Sequence, residues 1–161
     1  DLIQSPLIPS PVKEAASLCA SFERRNSATV GGNIACRRDD SYLGALFSVM
    51  GVKTYAVTPH GEGEKSVEDY FPTTCRRLIL YFILDPRKDG WVKRFGNTVS
   101  SHAALIAAES DGRYALSVKG SPMVIGDTPE IYKDVEYVSD MFGSAEYKKY
   151  LASIVFDLRR K

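Results

Sequence analysis

Residues Asp39 to Gly51 read Asp-Asp-Ser-Tyr-Leu-Gly-Ala-Leu-Phe-Ser-Val-Met-Gly, and they constrain the fold more than any other stretch because they join a helix start, a helix without a polar face and a helix stop. Asp39 or Asp40 can cap the first turn and place negative charge at the positive end of the helix, and Gly51 supplies the left-handed residue that closes the last turn. Tyr42, Ala45, Leu46 and Val49 line one face at helical spacing, and Leu43, Phe47 and Met50 cover most of the rest. An amphipathic surface helix does not look like this, so the stretch predicts a buried central helix. A short side chain at its first turn, Ser41, points a polar atom into the positive field of the helix start.

With 44% apolar residues in 161, the chain is long enough for one domain with a substantial core. A formal charge of +1 without long runs of either sign argues against a nucleic-acid surface and against a polybasic membrane patch. No apolar stretch reaches the roughly 18 residues that span a bilayer, and no secretory signal pattern is visible, so the expectation is a soluble protein. The three cysteines, Cys19, Cys36 and Cys75, have no CxxC or other ligand spacing. That argues against a disulfide framework and a zinc site and for a reducing compartment, with no metal and no cofactor.

Taken in order, Pro6, Pro9 and Pro11 make residues 1–11 an extended lead-in or linker, which leaves 12–161 as a single domain. The spacing of Val12, Ala15, Ala16, Cys19 and Phe22 predicts a helix over 12–22, and the polar, Gly-containing stretch 24–38 reads as a loop that delivers the chain to the buried helix. Residues 52–58 predict a strand, 59–64 an exposed turn containing His60, 66–71 a capped helical turn and 78–84 a buried strand. Residues 103–108 and 114–119 predict two strands of a hairpin turning at Ser110-Asp111-Gly112, and 123–125 a further strand. The tail predicts a helix over 144–151 and a β-like segment at 154–156. Helices first and an antiparallel sheet second describe an α+β domain.

Two segments resemble the viral papain-like cysteine proteases, of the picornaviral leader and torovirus-type nidoviral kinds. Asp39-Asp40-Ser41-Tyr42-Leu43-Gly44-Ala45-Leu46 is similar to their nucleophile box, with serine where the family has cysteine. His102-Ala103-Ala104-Leu105-Ile106-Ala107-Ala108, with the hairpin that follows, resembles their histidine strand. The resemblance implies a papain-like fold, an N-terminal helical lobe with a buried nucleophile helix packed on a C-terminal antiparallel sheet lobe. It implies a thiol protease that hydrolyses peptide or isopeptide bonds, processing a viral polyprotein in the host cytoplasm and acting on ubiquitin or a ubiquitin-like protein as well as other polypeptide substrates, with no nucleic acid and no membrane.

In such enzymes a thiolate at the start of a buried helix attacks the amide carbonyl and a histidine protonates the leaving amine. The resemblance therefore assigns position 41 as nucleophile, inactivated here as Ser41 by an engineered or natural Cys-to-Ser change, and His102 rather than His60 as base. Ser117 falls where the family orients the imidazole with Asp or Asn, with Asp111 and Asp127 as replacements, and Asn33 is the oxyanion donor. The bland readings are that Ser41 is only a helix cap, that His102 is a hydrogen-bonded residue beginning an apolar strand, and that Trp91 packs in the core rather than lining a groove. Cys36 is an alternative nucleophile, Cys19 a small packed hydrophobe, and Cys75 has Arg76 and Arg77 beside it. Two other functions remain open at this point: a non-catalytic module that binds a host protein, and a transglutaminase-like or deamidating thiol enzyme.

Overall fold

Why the chain folds as it does is clearest from the hydrophobic residues each element must bury, seen in a computed structural model that describes residues 2–19, 21–72, 76–98 and 101–157. Four helices come first: α1 (Ser10–Ser17), α2 (Phe22–Ser27), α3 (Val30–Ala35) and α4 (Tyr42–Val49). Strands β1 (Lys53–Thr58), β2 (Gly61–Ser66) and β3 (Leu78–Ile83) form a three-stranded antiparallel sheet in the order β2-β1-β3. Strands β4 (Trp91–Phe95), β5 (Leu105–Ser110), β6 (Arg113–Val118) and β7 (Val124–Gly126) form a four-stranded antiparallel sheet in sequence order, and α5 (Ala145–Val155) closes the described chain. Short 3₁₀ turns occupy Glu68–Tyr70 and Pro129–Asp134. The protein is α+β with antiparallel sheets.

All eight residues of α4 are buried, as a helix without a polar face requires. Met50 is the C-cap, and Gly51 at φ +65° turns the chain out of the helix. Leu46 and Val49 are fully enclosed, and burying a side chain of this size contributes roughly 1.5–3 kcal/mol. At the first turn the backbone of Gly44 lies against Phe71, where a Cβ would come within 2.4 Å of the ring, so only glycine fits.

The four-stranded sheet is covered on both faces, and the period-2 alternation of its strands says by what. Ile106, Ala108 and Ala115 join α4 in one core, while Leu105, Ala107, Leu116 and Val118 join Leu151, Ala152 and Val155 of α5 in a second. The hairpin between β5 and β6 turns at Asp111 and Gly112, both with positive φ, the geometry that matches strand twist in a two-residue loop. Trp91 belongs to the core, its ring 5.9 Å from that of Phe156.

Several expectations need correction. The papain-like pair of lobes is not supported: a separate small sheet follows α4 directly, and α5 covers the far face of the larger sheet. The helix expected over 12–22 stops at Ser17, and two short helices, α2 and α3, occupy most of the expected loop. β2 fills the expected turn at 61–64, because pairing every residue with β1 satisfies its backbone despite five weak strand formers, Gly61, Glu62, Gly63, Glu64 and Lys65. The β-like tail at 154–156 is the end of α5 and its C-cap Phe156, whose apolar residues Leu151, Ala152 and Val155 repeat at helical spacing. Leu2 and Ile8, in the expected lead-in, pack against the first core.

Lys148 of α5 is fully buried and carries its charge inside. Its Nζ lies 2.8 Å from Asp140 Oδ2 and donates to the carbonyl oxygens of Val138 and Lys119, so the ammonium is satisfied and ties the 138–143 loop to the sheet.

Candidate functional site

The three short helices and the start of α4 enclose a cleft of about 510 Å³, whose lining includes Ala16, Cys19, Arg25, Thr29, Asn33 and Leu43. A second recess of about 230 Å³ shares Cys19 and Asn33 with it and adds Arg38, Asp40, Tyr42 and His102. The cleft sets an apolar wall beside convergent polar groups, the usual form of a small-molecule site.

Thr29 builds the rim of the cleft. Its hydroxyl accepts from the Gly32 N–H at 3.0 Å and caps α3, leaving the other first-turn N–H groups without intrahelical acceptors. Gly32 is fixed by this contact, since a Cβ there would meet Thr29 Oγ1 at 2.9 Å. Gly31 is different: a Cβ there meets no atom of the protein within 4 Å, and its φ does not lie in the left-handed region. A glycine inside a helix costs about 1 kcal/mol relative to alanine, so neither packing nor backbone geometry accounts for Gly31. Arg25 donates to the carbonyl oxygens of Ser17 and Cys19 and sets a guanidinium in the cleft wall.

Asp40 organises the second recess. Arg38 grips it with two bonds, Nε to Oδ1 at 2.7 Å and Nη2 to Oδ2 at 3.0 Å, and His102 Nδ1 lies 2.5 Å from Oδ2. Burial works to raise the Asp40 pKa, but the bonds and charge of Arg38, the His102 bond and the Lys119 charge outweigh it and hold the carboxyl at about 2. An ionised carboxylate only accepts, so Nδ1 of His102 carries the proton of that bond and Nε2 is left for other partners. The loop that delivers His102 is held from β4: Arg94 donates to the Tyr42 hydroxyl at 2.9 Å and to the carbonyl oxygens of Thr98 and Ser101.

The residues expected from sequence come partly together, in other roles. Ser41 is the N-cap of α4; its hydroxyl accepts from Gly44 N–H at 2.9 Å and donates to Asn33 Oδ1 at 2.6 Å. Asn33 is therefore beside position 41, with its amide oxygen turned to the Ser41 hydroxyl. His102 is bonded to Asp40 and flanked by Arg38, not to Ser41. Ser117 donates to the Asp39 carbonyl, and Lys119 pairs with the Asp39 carboxylate at 2.7 Å. Of the alternatives, Asp111 pairs with Lys88 at 3.2 Å and Asp127 lies 3.8 Å from Arg113. His60 is exposed in the β1–β2 turn, Cys36 is exposed at the end of α3, and burial pushes the Cys19 thiol pKa up, against nucleophilicity. Cys75 lies outside the described residues. The groups that sequence reasoning passed over are Thr29, Gly31 and Arg38, and Asp40, read there as a helix cap, is instead the partner of His102. Thr-Val-Gly-Gly-Asn is the signal that could have found the first two, a capping residue followed by glycines that no turn needs.

Among the described residues no group of three or more His, Cys, Asp or Glu could hold a metal ion, and no helix is long and apolar enough to cross a membrane.

No protein-family model matches the chain. It is 26% identical over 166 aligned residues to the uncharacterized protein YgfM of Escherichia coli K12 and of E. coli O157:H7; the match takes in 92% of this chain and spans 63% of the length of those relatives. Among solved structures, a carbon monoxide dehydrogenase of Hydrogenophaga pseudoflava that lacks the Mo-pyranopterin moiety of its molybdenum cofactor superposes with TM-score 0.77 at 20% identity, over 95% of this chain and 67% of that one. Quinoline 2-oxidoreductase of Pseudomonas putida 86 gives 0.74 at 19%, over 89% and 62%. Reconstituted carbon monoxide dehydrogenase of Oligotropha carboxidovorans gives 0.78 at 20%, over 99% and 69%. At this identity the likeness is one of fold. It overturns the viral papain-like protease resemblance and with it the cysteine-peptidase, polyprotein-processing and deubiquitinating activities: the fold is that found in oxidoreductases. The pattern that suggested otherwise, a capped buried helix and a later strand begun by histidine, is local and recurs on unrelated folds.

Proposed function

We propose that this chain is a module of an oxidoreductase of the molybdenum-enzyme kind, and that it binds an organic redox cofactor, a flavin adenine dinucleotide, in the cleft formed by α1, α2, α3 and the start of α4. The observation that carries the reading is Gly31. It is a helical glycine that the protein itself does not require, between the cleft-lining residues Val30 and Asn33 in sequence, where a Cβ would enter open space. A ligand that approaches the backbone closely explains it.

The surrounding chemistry fits a dinucleotide. Free first-turn N–H groups of α3 and the Arg25 guanidinium suit a pyrophosphate. Asn33 and Asp40 offer acceptors to ribityl or ribose hydroxyls, and the apolar wall of Ala16, Val30 and Leu43 suits a ring system. A flavin supplies stepwise electron transfer. The chain's own part is to bind and orient it and to keep Asp40 ionised beside it. Fold likeness to three oxidoreductases supports the class of enzyme.

The test is an equilibrium titration of the full gene product with FAD, followed by flavin fluorescence, with NADH as the control dinucleotide. Saturable FAD binding is expected, weakened at least about tenfold by Gly31→Val, which the open space tolerates without loss of thermal stability. Absence of FAD binding, or equal affinity in Gly31→Val, would overturn the reading.

A further inference from the structure

A third recess, of about 450 Å³, shares no residue with the cleft or with the Asp40 pocket; it lies where the first 3₁₀ turn, the stretch before α4 and strand β7 meet. Five of its nine lining residues are apolar: Phe71, Pro72, Pro122, Met123 and Ile125. Pro72 and Pro122 are exposed and the other three half-buried, so their side chains are within reach of a ligand.

Ion pairs at both ends of β6 frame the recess. Arg113, the first residue of the strand, donates to Glu68 Oε2 at 2.9 Å and lies 3.8 Å from Asp127 Oδ1. Lys119, just beyond the last, pairs with Asp39 at 2.7 Å, and the Gly120 N–H donates to the same carboxylate at 3.2 Å. Phe71 is held against the backbone of Gly44, where there is no room for a Cβ. The walls are thus set before a ligand arrives, which lowers the ordering cost of binding.

Charge selects what can enter. The lining carries two cations, Arg37 and Arg113, and two carboxylates, Asp39 and Glu68, and each has a partner within the protein, Arg37 over the Tyr70 ring at 5.9 Å. An ion entering would give up water for a surface without an uncompensated opposite charge. An uncharged ring gives up little and gains contact with the Phe71 ring, the Met123 thioether and two prolines. We propose that this recess binds a neutral aromatic small molecule. Its volume falls within the range of about 300–1,000 Å³ usual for small-molecule pockets, and an apolar lining with a few polar groups is their usual composition. The site stands independently of the cofactor cleft.

The experiment is isothermal titration calorimetry of the full gene product with 2-naphthol, with the charged 2-naphthoate and the saturated 2-decalone as comparison ligands, at fixed pH and ionic strength. Saturable binding of 2-naphthol is expected, at least about tenfold tighter than that of either comparison ligand. Met123→Gln keeps the side-chain length and sets an amide in the apolar lining, and Pro72→Glu adds a charge at an exposed position. Each is expected to raise the Kd of 2-naphthol about tenfold without changing the melting temperature, and Pro72→Glu keeps the test decisive if Met123→Gln does not fold. Absence of 2-naphthol binding, equal affinity for the three ligands, or affinity unchanged in both variants overturns the proposal. Failure of FAD to bind leaves this result untouched, because no lining residue is shared.

Discussion

His102 Nδ1 lies 2.5 Å from Asp40 Oδ2, a bond across 62 residues of sequence that ties the residues just before β5 to the start of the buried helix. Arg38 holds the same carboxylate by two bonds from the other side. The imidazole is thereby oriented by an acid. The arrangement has a measurable pH consequence. The folded pKa of Asp40 is about 2, below its ordinary value of 3.8, so its contribution to stability is present above about pH 4 and is lost as pH falls through the folded value. Acid unfolding followed by circular dichroism should therefore show stability declining between about pH 4 and pH 2, and Asp40→Asn should flatten that part of the curve while lowering stability at pH 7.

Ser41→Ala removes the N-cap of α4 and the bond to Asn33. A loss of about 1 kcal/mol in chemical denaturation is expected, with a range of roughly 0.5–2 kcal/mol for capping residues. Ser41→Cys should give no peptide or ubiquitin-amide hydrolysis. Turnover that depended on both the introduced thiol and His102 would restore the protease reading.

Lys148→Met keeps the length of the side chain and removes its charge. The carbonyl oxygens of Val138 and Lys119 then lose their donor and Asp140 its ion-pair partner. A destabilisation of about 3 kcal/mol is expected, in the range for breaking buried charge pairs. A melting temperature equal to that of the wild type would show that the 138–143 loop is held by something else.

Gly44→Ala is expected to cost on the order of 2 kcal/mol, even though alanine is the better helix former, because its Cβ would overlap the Phe71 ring and the Ser41 hydroxyl. Combining it with Phe71→Leu should recover part of the loss, and two independent, additive costs would argue against the contact.

Some of this was legible in one dimension. Asp39 to Gly51 announces a buried helix because no residue pattern there leaves a polar face, and Asp111-Gly112 announces a hairpin because two positive φ values need such residues. Both are local statements, settled by side chains within a few positions of each other. The same locality explains the false resemblance: a capped helix start and a histidine before an apolar strand satisfy a protease pattern without saying what the two face.

What faces what was decided by tertiary structure. Gly61 to Ser66 has poor strand propensity and becomes a strand because β1 is there to pair with it, and Val155 continues a helix because the second core lies beneath it. Ser117 falls within β6 while His102 lies three residues before β5, and packing of α4 against β5 and β6 gives one of them to the Asp39 carbonyl and the other to Asp40. The sequence by itself determined which elements had to be buried and where two turns had to fall, because those depend on neighbours along the chain. The cleft, the ionised Asp40 and the braced recess beside Phe71 depend on groups brought together from distant segments, and only the packed fold sets those distances.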